Sequence, residues 1–390
     1  MGVDTDPIAQ ARGSEPRAFG RRSDLAASGA IVGLVGPLPP PAGGMANQTR
    51  QLARLLADSG LTVEVVQVNA PYRPQWVGRV RVLRAAFRLF PYLGQLWRSA
   101  GRCSLFHVMA NSGWAWHLCA APAVWIARMR EIPVVVNYRG GQAEGFLQRQ
   151  IAWVHPTLRR ATIIAVPSAF LKGIFAQYGF DAEIVPNAVD LDRFFPADSP
   201  PGGMHIVITR NLEPIYGIDV ALRAFGTIHR ELPEARLSVA GTGPQRAQLE
   251  CLAKDLGIDH AVRFTGRLDG DALPAFYRTA DLMLNPSTVD NMPNSILEAL
   301  ASGVPVVSTD AGGIPHLVRN DHTALLVPSG DSRAMAAAAL RVLRDAGLAA
   351  RLRAHGRQVA ETYAWPRVRD QLFALYARAL GVPASSLRLS

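Results

Sequence analysis

Short apolar runs alternate along the chain with longer amphipathic stretches, and the alternation has the rhythm of a doubly wound α/β protein. The first clear run is IVGLVG at 31–36, apolar or glycine throughout, as expected of a strand buried on both faces. A Pro/Gly loop, PLPPPAGGMA, follows. NQTRQLARLLADSG then places Leu52, Leu55 and Leu56 on one helical face with Gly60 closing it, and LTVEVVQVN reads as the next strand. Strand, loop, helix and strand in this order make a βαβ unit of a parallel sheet. Further strands are expected at 104–108, 132–138, 162–166 and 182–186.

The same grammar restarts after PADSPPGGM (196–204), a Pro/Gly/Ser stretch of hinge character. HIVITR, ARLSVAG, AVRFTG, DLMLNPS and VPVVST read as strands. GIDVALRAFGTIHREL, PQRAQLECLAKDLG, LPAFYRTA and PNSILEALASG read as the helices between them. The expected fold is therefore α/β: a tail at 1–28, a first doubly wound domain at 29–195, a linker at 196–204, a second such domain at 205–365, and a last segment at 366–390. Ligands of such sheets bind outside the carboxyl ends of the strands, so two facing domains predict a cleft between them.

Composition narrows the class. Hydrophobic residues make up 49% and charged residues 18%, a core-forming balance. The most apolar segment, Trp114 to Met129, is interrupted by His117 and Arg128, which predicts a buried helix rather than a membrane span. The first 28 residues lack the apolar core of a signal peptide, which leads to the expectation of a cytoplasmic protein. Cys103, Cys119 and Cys251 are widely spaced and form neither a metal pattern nor a disulfide framework.

Net charge is +10, almost all of it arginine, since Lys172 and Lys254 are the only lysines. This composition has two readings: a GC-rich coding sequence, or attraction to an anionic partner such as phosphate or acidic lipid. No aromatic-interleaved basic motif or recognition helix points to nucleic acid, which is not expected as a partner. The segment at 78–102 carries arginines at 79, 81, 84, 88, 98 and 102, interleaved with Val, Leu, Phe and Trp. Such a helix suits peripheral contact with an anionic membrane; the plain alternative is an Arg-rich helix packed on its domain.

The chemistry concentrates in DNMPNSILEALASGVPVVSTDAGGIP, residues 290–315. Pro293 suits a first helical turn, Asn291 or Asn294 is placed to cap, and Gly303 to stop, which predicts a helix over 293–302. Its amino end is a ready phosphate site. Glu298, one turn inside, can accept two hydrogen bonds from a vicinal diol such as a ribose. Asp290 is placed to reach past the phosphates to whatever they carry. Gly312–Gly313, and Gly241 in AGTGP, are read as points where backbone approaches a ligand closely. Arg210 ends the first strand of the second half, where a guanidinium can grip a diphosphate bidentately. Together these parts fit a nucleotide diphosphate bearing a polyhydroxylated group; the bland alternative is a capped helix with surface acids.

These motifs resemble the retaining glycosyltransferases of the GT-B fold, family 4 (group 1) type. The resemblance rests on PPPAGGMANQTRQLARLLADSGLTVEV, VPSAFLKGIFAQYGFDAEIVPNAVDLDRF, NLEPIYGIDVALRAF, LSVAGTGPQRAQLE, VRFTGRL, FYRTADLMLNPS and the stretch at 290–315, in that order. It implies two Rossmann-like domains with the active site in the cleft, and a last helix, here RDQLFALYARAL (369–380), crossing back to the first domain. It implies a nucleotide-sugar donor on the second domain, a glycan or lipid-linked acceptor on the first, and no cofactor or metal. The pair Asp190 and Asp192 lies in the family's PN-x-x-D segment, so it is not expected to hold a metal. Gly43 and Gly44 fall in the family's Gly-rich loop near donor and acceptor. Glu298 is implied to hold the ribose, Asp290 the transferred sugar, and Asn291, Met292, Pro293, Asn294 and Ser295 to line sugar and diphosphate. Gly241 and Arg267 fall in the remaining part of the donor pocket. His107 follows its strand as a family histidine does, but as a lone histidine it is expected to be structural.

Three positions depart from the family pattern. Its first glutamate is Asp290 here, its Arg–Lys pair six residues apart is Arg210 and Tyr216, and its histidine after a first-domain strand is Arg139. Tyr216 brings a hydrogen bond but no charge, while Arg139 adds a charge able to meet a phosphate or an acidic acceptor. The expected catalytic residues are Asp290, Arg210 and Arg139. Two alternatives stay open: a catalytically degenerate nucleotide-sugar-binding partner subunit, and a sugar-nucleotide epimerase, whose acid/base set is not visible. An oxidoreductase would need a GxGxxG after the first strand, and GPLPPPAGG is not one.

Overall fold

The computed structural model describes residues 29–40, 43–70, 81–199, 201–383 and 387. The expected tail at 1–28 and positions 78–80 of the basic segment lie outside the described residues.

Twelve described strands form two parallel six-stranded sheets. In the first, β1 (Ile31–Gly36), β2 (Thr62–Gln67), β3 (Leu105–Ala110), β4 (Val134–Tyr138), β5 (Ile163–Val166) and β6 (Glu183–Ile184) lie in the order β2-β1-β3-β4-β5-β6. In the second, β7 (His205–Thr209), β8 (Arg236–Ala240), β9 (Val262–Gly266), β10 (Leu282–Asn285), β11 (Val306–Thr309) and β12 (Leu325–Val327) lie in the order β12-β11-β10-β7-β8-β9. The central strands read as continuous apolar runs because helices cover both faces; β3 and β4 are buried at every position. One core layer packs Phe106, Val136, Tyr138, Phe146 and Phe175 on one side of the first sheet. The second sheet is sandwiched in the same way.

The other side of the first sheet is covered by the helix Trp365–Leu380. Its Val368, Leu372, Phe373 and Tyr376 pack against Val32, Leu105, Val135 and Ala165. The end of the chain thus completes the core of the first half. The Tyr376 hydroxyl reaches His107 Nδ1 at 2.7 Å, and Trp365 Nε1 donates to Ser59 Oγ at 2.9 Å.

The segment Trp114–Met129 differs from the buried helix expected. It forms a π-helical turn, Trp116–Ala120, running into an α-helix, Ala121–Met129. Trp116, Ala123, Val124 and Ala127 face the core, but Trp114 and Met129 are 77% and 60% exposed. A segment that is apolar all round has no polar stripe to say which side faces water. The aspartates of DLD also have a local role: Asp190 Oδ1 accepts from the N–H groups of Asp192 and Arg193, an Asx turn.

Candidate functional site

The order of the strands reverses where β7 and β10 lie side by side and parallel, the topological switch point of the second sheet. Arg210 is the first residue after β7, and the loop after β10 carries Asp290. Their side chains meet: Arg210 Nη2 donates to Asp290 Oδ2, with only 11% and 13% of the two side chains exposed. Arg210 Nε donates to Asn285 Oδ1 at 2.9 Å, and the guanidinium stands 5.0 Å from the centre of the Tyr216 ring. Asn285 is fully buried and donates in turn to Ser308 Oγ at 2.9 Å. A buried amide, a carboxylate and an aromatic face therefore fix one guanidinium at the strand ends. Tyr216, where the family carries a second cation, serves as a platform for the first.

The glycines expected to admit a ligand instead admit neighbouring backbone. A Cβ on Gly241 would stand 1.8 Å from the Arg210 carbonyl oxygen, and one on Gly313 would stand 1.9 Å from that of Asn291. Gly312 has φ +58 and its Cβ would meet the Asp290 oxygen at 2.2 Å. The two loops carrying Arg210 and Asp290 are thus seated on bare backbone, which sets their position. Gly43 and Gly44 differ: a Cβ on either meets nothing within 4 Å, so the start of the helix Gly44–Asp58 borders open space.

The helix expected over 293–302 runs from Asn294 to Ala301, with Pro293 at the cap position and no side-chain cap. Pro293 has ψ 118, outside the helical range, and the Asn294 amide is drawn away to other partners. Gly303 ends it with φ +67, as read from the sequence. The first-turn N–H groups are left without a side-chain acceptor. Beside them, Asn291 Oδ1 and Ser295 Oγ are buried polar atoms with no hydrogen-bond partner among the described residues. Buried polar atoms are nearly always paired, so two orphans at one helix start make it a candidate ligand site.

Glu298 lies one turn further along. Its Oε2 accepts from the Tyr277 hydroxyl at 3.2 Å, and that hydroxyl also reaches Thr209 Oγ1 at 2.5 Å and the Ser295 carbonyl at 3.1 Å. Burial pushes the Glu298 carboxyl up to about 7, against the lowering pull of Tyr277 and Arg210.

The first half meets this loop directly. Asn291 Nδ2 donates to the carbonyls of Gly140 at 2.5 Å and Arg139 at 3.3 Å. Asn187 Nδ2 donates to the Met292 carbonyl at 2.9 Å and to Asn294 Oδ1 at 2.6 Å. Arg139, just past β4, donates from Nε to Asn137 Oδ1 at 3.1 Å and from Nη1 to Gln48 and Asn187. His107 is fully buried between Tyr376 and Asn137; burial and the nearby Arg139 push its imidazole down to about 3, which keeps it neutral. The loop 290–294 lies between two arginines, one from each half.

The structure gathers Arg210, Tyr216, Asp290, Asn291, Met292, Pro293, Asn294, Ser295, Glu298 and Arg139 around one crevice. It leaves out Arg267, which is paired with Asp269 at 2.7 Å on the surface. A basic residue after a strand has no sequence mark separating a ligand contact from a local ion pair. Gln48, Asn137, Asn187, Tyr277 and Asn285 were not singled out from the sequence. Asn187 and Tyr277 lie inside the quoted segments VPNAVDLDRF and FYRTADL, which was the available signal.

Comparison with known proteins sets this geometry in a family. A family model described as "Glycosyl transferases group 1" matches residues 193–359, and one described as "Glycosyltransferase Family 4" matches residues 42–193. The chain is 33% identical over 223 residues to a D-inositol 3-phosphate glycosyltransferase of Salinispora tropica, covering 51% of this chain and 46% of that protein. It thus spans about half the length of that relative and of several others bearing the same name. It is 30% identical over 278 residues to a GDP-mannose-dependent alpha-(1-6)-phosphatidylinositol monomannoside mannosyltransferase of Mycolicibacterium smegmatis, covering 64% of this chain and 72% of that one. Among solved structures, Anabaena Alr3699/HepE in complex with UDP and glucose superposes with a TM-score of 0.71 at 20% identity, covering 89% of this chain and 99% of that one. Sucrose-phosphate synthase from Thermosynechococcus elongatus does so with a TM-score of 0.71 at 20% identity, covering 90% and 99%.

Proposed function

This chain belongs to the group 1 glycosyl transferases, with the GT-B fold, and from that premise we propose that it moves a sugar from a nucleotide diphosphate to a hydroxyl acceptor with retention of anomeric configuration. The observation carrying the reading is the crevice itself: Arg210 at the switch point beside an uncapped helix start with two orphaned polar atoms. Arg210 and the first-turn N–H groups take the diphosphate, Ser295 Oγ donates to a phosphate oxygen, and Asn291 Oδ1 accepts from a sugar hydroxyl. A phosphate oxygen replaces Asp290 on Arg210, which frees Asp290 to accept from a sugar hydroxyl. As the bond to the anomeric carbon breaks, charge builds on the diphosphate where these fixed donors stand. No side chain is placed as an obvious nucleophile, so the acceptor attacks from the face the diphosphate leaves, a phosphate oxygen taking its proton. The reading assigns no role to a metal or cofactor.

Glu298 holds the ribose in this scheme, and that has a pH signature. Its folded carboxyl titrates near 7 against 4.5 for an unburied one. A raised value favours folding fully below 4.5, and that contribution is lost as pH rises through 7. Ribose hydroxyls donate best to the carboxylate, so donor binding should release a proton and weaken as pH falls below 7. Calorimetry of nucleotide diphosphate binding in buffers of different ionisation enthalpy checks this. Glu298→Gln should abolish the proton release and weaken binding; unchanged affinity in that variant would take Glu298 off the donor.

The acceptor is proposed to be lipid-linked or a glycan at an anionic membrane face, in keeping with the phosphatidylinositol named for one relative. Among the described residues no helix is long and apolar enough to cross a membrane. Yet residues 81–160 hold eleven arginines, no lysine and only Glu131 and Glu144 as acids, a net +9 of the chain's +10. Among the described residues, eight of ten exposed large hydrophobic side chains lie in this stretch, including Phe90, Trp97, Trp114, Trp125, Met129 and Trp153. They stand on helices Arg81–Ala100, Ala121–Met129 and Ala143–Leu158 or the turn before the second. Exposed aromatics among arginines suit an acidic headgroup layer. Flotation should show binding to vesicles containing phosphatidylglycerol, strongly reduced for a Trp114→Ala/Trp153→Ala double variant. Equal recovery with neutral and acidic vesicles, or none with either, would end the membrane reading.

A further inference from the structure

Two arginines face the loop 290–294, and their charges have different fates. The charge of Arg210 is matched by Asp290. Arg139 makes no ion pair among the described residues: the side-chain acceptors of its guanidinium are the neutral amides of Asn137, Gln48 and Asn187. No hydrogen bond is made by its Nη2 among the described residues. The cavity it lines contains no carboxylate; its other walls are amides such as Gln48, Asn187 and Asn294 and apolar side chains such as Leu52, Leu55 and Leu372. Withdrawal from water pulls the Arg139 guanidinium down to about 10, so it is still charged at neutral pH. A cation held away from water without a counter-ion is costly, and fixed donors with free hydrogens are what a bidentate anion takes.

We infer that the cleft takes a second anionic group besides the diphosphate, a carboxylate or phosphate monoester carried by the transferred sugar or by the acceptor, and that Arg139 is its counter-ion. The inference rests on the donor reading above and names the substrate class of the same crevice. The position supports it. Arg139 follows β4 at the strand ends of the first half, and its carbonyl accepts from Asn291 in the loop assigned to sugar and diphosphate. Gln48 bonds both Arg139 and Asn294, so the guanidinium and the helix start share one amide neighbour. The diphosphate already has Arg210 and the helix end, which leaves Arg139 for a different group.

The test uses the full chain and matched pairs of probes. For the sugar arm these are UDP-glucuronate against UDP-glucose and GDP-mannuronate against GDP-mannose. For the acceptor arm, inositol 1-phosphate is compared with inositol in the presence of bare UDP or GDP. The acidic member of one pair should bind at least about tenfold more tightly, the scale of one charge-assisted contact, and the arm in which this occurs identifies the source. Arg139→Gln should erase the preference and Arg139→Lys should keep part of it, which separates a charge role from a packing role. Two results overturn the inference: no acidic preference in either arm, or a loss of bare UDP or GDP affinity in Arg139→Gln equal to the loss for the acidic ligand. The second result would place Arg139 on the leaving diphosphate. Binding of nucleotides without any acidic preference would sink this inference alone, whereas no binding of any nucleotide diphosphate would sink the donor reading and this inference with it.

Discussion

Replacing Arg210 with alanine is expected to lower turnover by about 10²-fold or more, the usual effect of removing one preorganised donor from a developing anion. The expectation follows from how little else is available. Tyr216 supplies no charge where the family pattern has a lysine, so in this crevice the diphosphate meets one second-half cation and a helix end. Arg210 is also held before the ligand arrives, by Asn285 and the Tyr216 ring, and these contacts keep the guanidinium in place when a phosphate oxygen takes over from Asp290. Removal strands Asp290, hence the variant must be compared by melting temperature as well as by rate. Arg210→Lys keeps a charge in place but loses the fork that meets two oxygens, and should fall between the two. Release of nucleotide diphosphate from a sugar-nucleotide panel is the readout. A folded Arg210→Ala protein with normal turnover would remove this residue from the role.

The second large effect is expected at a residue directly behind the loop assigned to the donor. Gly313 has φ −84 and ψ −4, a conformation any residue adopts, so its need is purely steric. A methyl group there would stand 1.9 Å from the Asn291 carbonyl oxygen and 2.8 Å from its carbon. Those are backbone atoms and cannot swing aside as a flexible side chain does. Gly313 N–H also donates to the Asp290 carbonyl at 2.8 Å, so the two loops move together or separate. Gly313→Ala should displace the segment that carries Asp290 and Asn291 and reduce kcat/KM by roughly 10²-fold, the scale of an ångström-level misplacement. Gly226→Ala is the control. It lies within the helix Ile218–Glu231, where an added Cβ meets nothing within 4 Å, so activity should be retained. Full activity in a folded Gly313→Ala protein would mean that the loop is not positioned by this contact.

Much of this arrangement is legible in the sequence, and the boundary of legibility is physical. Strands buried on both faces announce themselves as unbroken apolar runs, which is why β1, β7, β10 and β11 were readable. Arg210, Asp290 and Glu298 could be singled out as candidates because ligands of doubly wound sheets bind at strand ends and helix starts. What one strand cannot reveal is its neighbour. β7 and β10 are separated by two other strands in the chain yet pair in the sheet, so the contact between Arg210 and Asp290 was invisible. Gly241, Gly312 and Gly313 show the same limit: a bare position announces close approach but not that neighbouring backbone is what approaches. Asn187 and Asn294 are 107 residues apart and meet only because the two halves do. Arg139 was visible as a departure from a family pattern, but its lack of a carboxylate partner is a property of its surroundings.

The central claim, that a diphosphate is held between Arg210 and the amino end of the helix Asn294–Ala301, is tested most directly by a crystal structure with a nucleotide diphosphate bound. The account predicts phosphate oxygens within hydrogen-bond distance of the Arg210 guanidinium and of the Asn294 or Ser295 N–H, with Asp290 displaced from Arg210. A diphosphate bound elsewhere, with the Arg210–Asp290 pair still closed, would contradict it.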